Sequence, residues 1–159
     1  MEKYPIVRLK RGKAMRGNEI WKKRDVIPLI KKLGKENKLV YIIDLDGYKR
    51  NSANLKLYKK VGRYLWVDSY PRYLEDVMDI IISGVERITI RDMNEEQLKE
   101  VKDISEKDIF LSGKNVDEMA KFVAKYKFNG IVLSEEQEIS DELQTWKIYM
   151  SEENIRRIK

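Results

Sequence analysis

The chain has 159 residues, of which 42% are hydrophobic and 38% charged, and its 33 Lys and Arg against 27 Asp and Glu leave a formal net charge of +6. That length and apolar content suit one globular domain, residues 1–159, and exclude a disordered polymer or a multidomain machine. Cys and His are both missing, which excludes disulfides, thiolate or imidazole catalysis and Cys/His zinc sites.

The charge is uneven. Residues 1–40 hold thirteen Lys/Arg against four Asp/Glu, and the remainder holds twenty against twenty-three. The clusters Lys10, Arg11, Lys13, Arg16 and Lys22, Lys23, Arg24 could hold a phosphate or a nucleic-acid backbone, although charge clusters are commonly just a solvated face. Uncharged runs such as Ile80 to Val85 fall far short of the ~20 residues that span a bilayer. Met1 to Lys10 has no signal-peptide core. A cytoplasmic protein without a membrane partner is expected. A composition rich in Lys, Glu and Ile, with three Gln, leans toward a thermophile.

In chain order, short apolar β-branched runs predict strands at Ile6 to Leu9, Leu39 to Ile43, Tyr64 to Val67, Arg87 to Ile90, Ile109 to Leu111, Gly130 to Leu133 and Trp146 to Met150. Amphipathic stretches lie between them, with Leu74, Val77, Met78, Ile81 and Ile82 at helical spacing, and again Val116, Met119, Ala120, Val123 and Ala124. From Leu39 the strand starts are 16 to 25 residues apart, enough for parallel βα units. Gly34, Gly62 and Ser83-Gly84 mark helix ends. The fold expected is an α/β parallel (β/α) barrel of the TIM type, shortened to about seven βα units. Ser151 to Lys159 supplies a short helix and no eighth strand. The gap between the first and seventh strands is then open, or is filled by closure or by a second copy in a homodimer.

In such a barrel the chemistry sits at the C-terminal ends of the strands. Those ends carry Arg8 and Lys10, Asp44 and Asp46, Asp68 and Ser69, Arg91 and Asp92, Ser112 and Lys114, and Ser134 and Glu135. Their alternating signs could equally be a ring of salt bridges around a crowded mouth.

Four segments in register then resemble a known family: Arg8 to Arg16, Tyr41-Ile42-Ile43-Asp44-Leu45-Asp46-Gly47, Asn54-Leu55-Lys56-Leu57, and Tyr73 to Val77 followed by Ser83 to Ile88. Their order and spacing are similar to the ProFAR isomerase family of histidine biosynthesis, and the chain resembles a shortened, diverged, archaeal-type member. The resemblance implies a barrel of that lineage and an Amadori-type isomerisation by two aspartates at the ends of the first and fifth strands. The first of those positions aligns with Arg8. The second falls in Leu111-Ser112-Gly113-Lys114-Asn115, which has no carboxylate. A guanidinium charged at every accessible pH cannot shuttle a proton. The family's glycine-rich phosphate loops are replaced by Val67 to Pro71 and Tyr149 to Glu153, whose Asp68, Glu152 and Glu153 repel an anion.

The expectation is therefore a binding or scaffold protein that has lost the ribotide isomerase reaction. The first alternative is an isomerase- or lyase-type enzyme for an anionic, possibly phosphorylated, metabolite at the mouth. Asp44, Asp46 and Asp68 would then be catalytic, with Arg8, Lys13, Arg91 and Lys114 binding the ligand. The Asp44/Asp46 pair could act as acid and base, or hold Mg²⁺ with help from Asp68, Asp92 or Glu135. A packing role is the simpler reading, one acid pairing with Lys13 or Arg8 to pin the first strand to the second. No resident cofactor or metal is expected. The second alternative, RNA binding by the basic first quarter, is disfavoured because Trp21 is the only aromatic interleaved after Tyr4.

Overall fold

The computed structural model describes residues 2–159. Its strands are β1 (Lys3–Lys10), β2 (Lys13–Arg16), β3 (Glu19–Trp21), β4 (Val40–Asp44), β5 (Leu65–Asp68), β6 (Arg87–Arg91), β7 (Asp108–Ser112), β8 (Gly130–Leu133), β9 (Thr145–Tyr149) and β10 (Asn154–Arg157). The helices are α1 (Lys23–Asn37), α2 (Leu45–Arg50), α3 (Leu55–Val61), α4 (Leu74–Ile82), α5 (Glu95–Ile104) and α6 (Val116–Tyr126).

Eight strands close a ring in the order β1-β4-β5-β6-β7-β8-β9-β10, with β10 pairing back to β1. The pairs from β1 through β9 are parallel, whereas β9–β10 and β10–β1 are antiparallel. The expected parallel (β/α) barrel of about seven units is thus corrected to a closed, mixed, eight-stranded barrel. The TIM-type assignment falls with it, on three counts. The segment expected as a terminal helix is the strand β10; residues 134–144 join β8 to β9 without a helix; and an antiparallel hairpin, β2–β3, follows β1.

The closure uses two pieces on one edge of β1. Lys3, Tyr4 and Pro5 pair with β10, whereas Arg8, Leu9 and Lys10 pair with β2. Between them the Ile6 amide donates to the Glu153 carbonyl at 2.8 Å, and the Gly17 amide in the β2–β3 turn donates to the Glu153 carboxylate at 2.6 Å. The loop expected to repel a phosphate is therefore the buckle that joins hairpin, β1 and β10. Two short segments satisfy an edge that would otherwise expose unpaired backbone groups.

Strand alternation splits the core into two layers. Val7, Leu9, Val40, Ile42, Val67, Ile88 and Leu111 face the helices, while Tyr4, Ile6, Tyr41, Trp66, Phe110, Val132, Trp146, Ile148 and Ile155 fill the barrel interior. Trp66 sits at the centre. It meets Tyr41 edge-on at 5.1 Å between ring centroids and Trp146 edge-on at 4.9 Å, and lies tilted on Phe110 at 4.6 Å. Tyr4 stacks on Trp146 at 5.4 Å. The Arg87 guanidinium lies 5.2–5.7 Å from the rings of Tyr4, Trp66, Phe110 and Trp146. Those ring faces compensate a cation that points into an aromatic interior.

Helix ends follow local chemistry. Gly34, expected as a terminator, lies inside α1, where a Cβ would overlap the Tyr64 ring; the helix ends instead at Lys38, with φ 80. Gly84, with φ +88, does follow the end of α4. No helix among the described residues is long and apolar enough to cross a membrane.

Candidate functional site

The barrel mouth gathers the predicted acids, but each is turned to its own set of internal donors. Asp44 ends β4 on the outward face, opposite to Tyr41 and Ile43, and is fully buried. It caps α2 by accepting from the Asp46 amide at 3.1 Å and the Gly47 amide at 3.3 Å. It also accepts from the Asn54 amide and side chain, both at 2.9 Å, and from the Tyr58 hydroxyl. Burial, and then the Asp44 charge, push the Tyr58 hydroxyl well above its ordinary pKa, so that hydroxyl stays a donor.

Asp46 reaches back to the turn after β1. It accepts from the Arg11 amide at 2.7 Å, the Gly12 amide at 3.2 Å, the Arg50 guanidinium at 2.7 Å and the Asn54 side chain at 3.0 Å. Burial raises its pKa, but the hydrogen bonds from Asn54, Arg11, Gly12 and Arg50 outweigh that and hold the carboxyl below its ordinary 3.8. Asp46 ties the turn after β1 to the start of α2, just beyond β4, through Arg11 and Gly12 and not through Lys13 or Arg8 as expected. Arg11 and Gly12 both have positive φ, 54 and 75, which turns their amides toward the carboxylate.

The glycine of Asp44-Leu45-Asp46-Gly47 is explained by approach. A Cβ there would overlap the Ser69 carbonyl oxygen at the end of β5. Gly47→Ala should therefore destabilise the fold by about 1–3 kcal/mol despite alanine's better helix propensity, measured as a lower urea midpoint.

Asp68 ends β5 on the inward face and is fully buried. It accepts from the Tyr41 and Tyr48 hydroxyls, both at 2.6 Å, and from Arg91 through Nε at 3.0 Å and Nη2 at 2.8 Å. Arg91 Nη1 then donates to the Ser112 hydroxyl at 3.2 Å, and that hydroxyl donates to the Val132 carbonyl at 2.6 Å. Below, the Tyr41 hydroxyl lies 3.1 Å from Thr89 Oγ1, to which the Trp66 indole donates at 2.9 Å. One polar ladder thus climbs the barrel wall from Trp66 to Arg91. Burial first, and then the Asp68 charge, raise the Tyr41 and Tyr48 hydroxyls far above their ordinary range. Burial acts to lower the Arg91 pKa, but Asp68 outweighs it and the guanidinium stays charged.

The predicted ligand-binding residues divide. Arg91 is consumed by Asp68 and Ser112. Lys13 on β2 and Lys114 after β7 are exposed, and the Lys114 amide donates to Asp92 at 2.8 Å. Arg8 shares the inward face of β1 with Tyr4 and Ile6, and its Nε is buried without a hydrogen-bond partner. The structure joins Asp68 to Arg91, and Asp44 to Asp46 through their shared Asn54; Lys13 and Lys114 enter neither group. No cluster of three or more acidic residues able to hold a metal ion occurs among the described residues.

Sequence reasoning missed the donors Tyr41, Tyr48, Asn54 and Tyr58, which sit at no motif spacing from the acids. It also missed Arg72. That guanidinium donates to the Gly47 carbonyl at 2.8 Å, the Tyr48 carbonyl at 2.5 Å and the Asn51 side chain at 3.1 Å, stapling the loop after β5 onto α2.

In comparison with known proteins, the chain matches no protein-family model and no curated protein.

Proposed function

We propose that this barrel is a binding or scaffold protein that does not perform the ribotide isomerisation its sequence resemblance implies. The observation that carries this reading is the saturation of the three mouth acids. Asp44, Asp46 and Asp68 accept from tyrosine hydroxyls, the Asn54 side chain, two arginine side chains and five backbone amides. A general base needs a lone pair facing substrate, and a buried carboxylate already ringed by its own donors acts instead as a structural tie.

A second reading, an anionic small molecule at the mouth, is favoured by Arg8 alone, whose buried Nε lacks an acceptor. It supplies attraction without an acid or base to accompany it.

Incubation with the ribotide substrate, followed by product analysis, should show no turnover; clear turnover would end the proposal. Asp44→Ala separates the roles further. Loss of the α2 cap alone costs about 1 kcal/mol, or roughly 2–4 °C in melting temperature for a chain of this size. A tie lowers the melting temperature in this way, whereas a catalytic acid would leave folding nearly intact.

A further inference from the structure

Outside the mouth, the fold brings two cationic segments some thirty residues apart in sequence to the two sides of one groove. The groove lies between the start of α1 and α3, has a volume of about 620 Å³, and falls within the 300–1,000 Å³ common to small-molecule sites. Its inner wall is aliphatic: Val26 is buried, and Ile27 and Leu57 are half-buried. Its outer wall carries Lys23 and Arg24 from α1 and Lys56 and Lys60 from α3, all exposed. No Asp or Glu lines it. Among the described residues, Lys23, Lys56 and Lys60 form no ion pair, and Arg24 meets only Asp25, at 4.0 Å.

A second feature points the same way. Lys22 is the N-cap of α1 and offers no side-chain acceptor, so three successive cations stand where the helix dipole already places positive charge. Asp25 in the same turn offsets part of that charge, and an anion bound beside Lys23 and Arg24 would offset more. The groove on the other side of α1, of about 540 Å³, provides the contrast: its wall mixes Glu19, Asp25 and Glu36 with Arg16 and Lys32, so it has no preferred sign.

The geometry points to a binding site in the α1–α3 groove for a small, freely soluble organic anion that carries a phosphate or carboxylate head and an apolar body. The head meets Lys23, Arg24, Lys56 and Lys60, and the body covers Val26, Ile27 and Leu57. A nucleic-acid strand suits the site less well, because no aromatic side chain lines it to stack a base. An acidic amphipathic helix is also a poor match. α3 has seven residues, about 10 Å of axis, which leaves little room for anchors spread over two helical turns.

The test is isothermal titration of the whole chain with octyl phosphate below its micelle concentration, beside inorganic phosphate and octyl glucoside, with amide chemical shifts locating the contact. We expect octyl phosphate to bind at least tenfold more tightly than either control, with shifts concentrated at residues 22–27 and 53–60. Lys23→Glu with Lys60→Glu should weaken it at least tenfold while the thermal melt does not fall, since an acid at the first position of α1 suits the helix dipole. Octyl phosphate binding no tighter than inorganic phosphate, shifts centred elsewhere, or an affinity indifferent to the charge reversals would each overturn the inference. So would displacement of the amphiphile by single-stranded RNA or by anionic vesicles at lower concentration. Ribotide turnover would end the proposal for the mouth and leave this site standing, and a failed titration here would do the reverse.

Discussion

Asp68→Ala should lower folding stability by about 3–5 kcal/mol, the range for removing one partner from a buried ion pair. The alanine leaves the Arg91 guanidinium, whose side chain is only 18% exposed, without its counter-charge. It also leaves the Tyr41 and Tyr48 hydroxyls without their acceptor. Arg91 cannot escape by losing its proton, because a guanidinium stays charged at every accessible pH. Removing both partners is a different matter. Asp68→Leu with Arg91→Met replaces the ion pair with apolar volume and should destabilise less than Asp68→Ala alone. Urea unfolding of the wild type, both single variants and the double variant closes the cycle. A loss below about 1 kcal/mol for Asp68→Ala would show that the ladder is a surface ornament and not a tie between β5 and β6.

The elements that were legible in sequence are those whose side chains face two apolar layers. Val40 to Ile42 and Ile88 to Ile90 are apolar or uncharged on both faces, because one face meets the helices and the other meets the aromatic interior. Such runs announce a parallel strand without help from the rest of the chain. β10 announces nothing. In Asn154-Ile155-Arg156-Arg157 only Ile155 is buried, and a single buried residue has no period to read. The β2–β3 hairpin was equally silent, since its exposed edge carries Ile20 at 67% exposure and its turn is the ordinary pair Gly17-Asn18. Both missed elements act by pairing with β1, a long-range event that local spacing does not encode.

The mouth divides in a similar way. That Asp44, Asp68 and Arg91 end strands, with Asp46 two residues beyond the first of them, could be read from the runs before them. What those groups do could not. Tyr58 and Asn54 reach Asp44 across a helix start, and Tyr41 meets Asp68 from the neighbouring strand. Spacing shows where a carboxylate stands along the chain, and its donors decide whether it is free to act.

The closing strand makes the strongest claim on the fold, and Ile155→Ala should cost about 2–5 kcal/mol. Ile155 is fully buried, opposite Tyr4 on one side and Ile148 on the other, beside the Tyr4–Trp146 stack. Removing its side chain leaves a void in a barrel interior built of rigid rings, which cannot collapse around the gap as flexible aliphatics do. Ending the chain at Glu153 should do more. The Lys3 to Pro5 edge of β1 and the Trp146 to Tyr149 edge of β9 would both lose their partner, so two parallel-sheet edges would open onto solvent with Trp146 behind them. Amide hydrogen exchange discriminates closure from a merely adjacent tail. For Ile155→Ala, protection should fall first in β1 and β9 while β5 to β7 keep theirs, because local opening spreads from the seam where the antiparallel strand meets the parallel wall. A uniform loss of protection across all eight strands would mean that β10 contributes general stability and no specific closure, and unchanged exchange in β1 would mean that the ring does not depend on it.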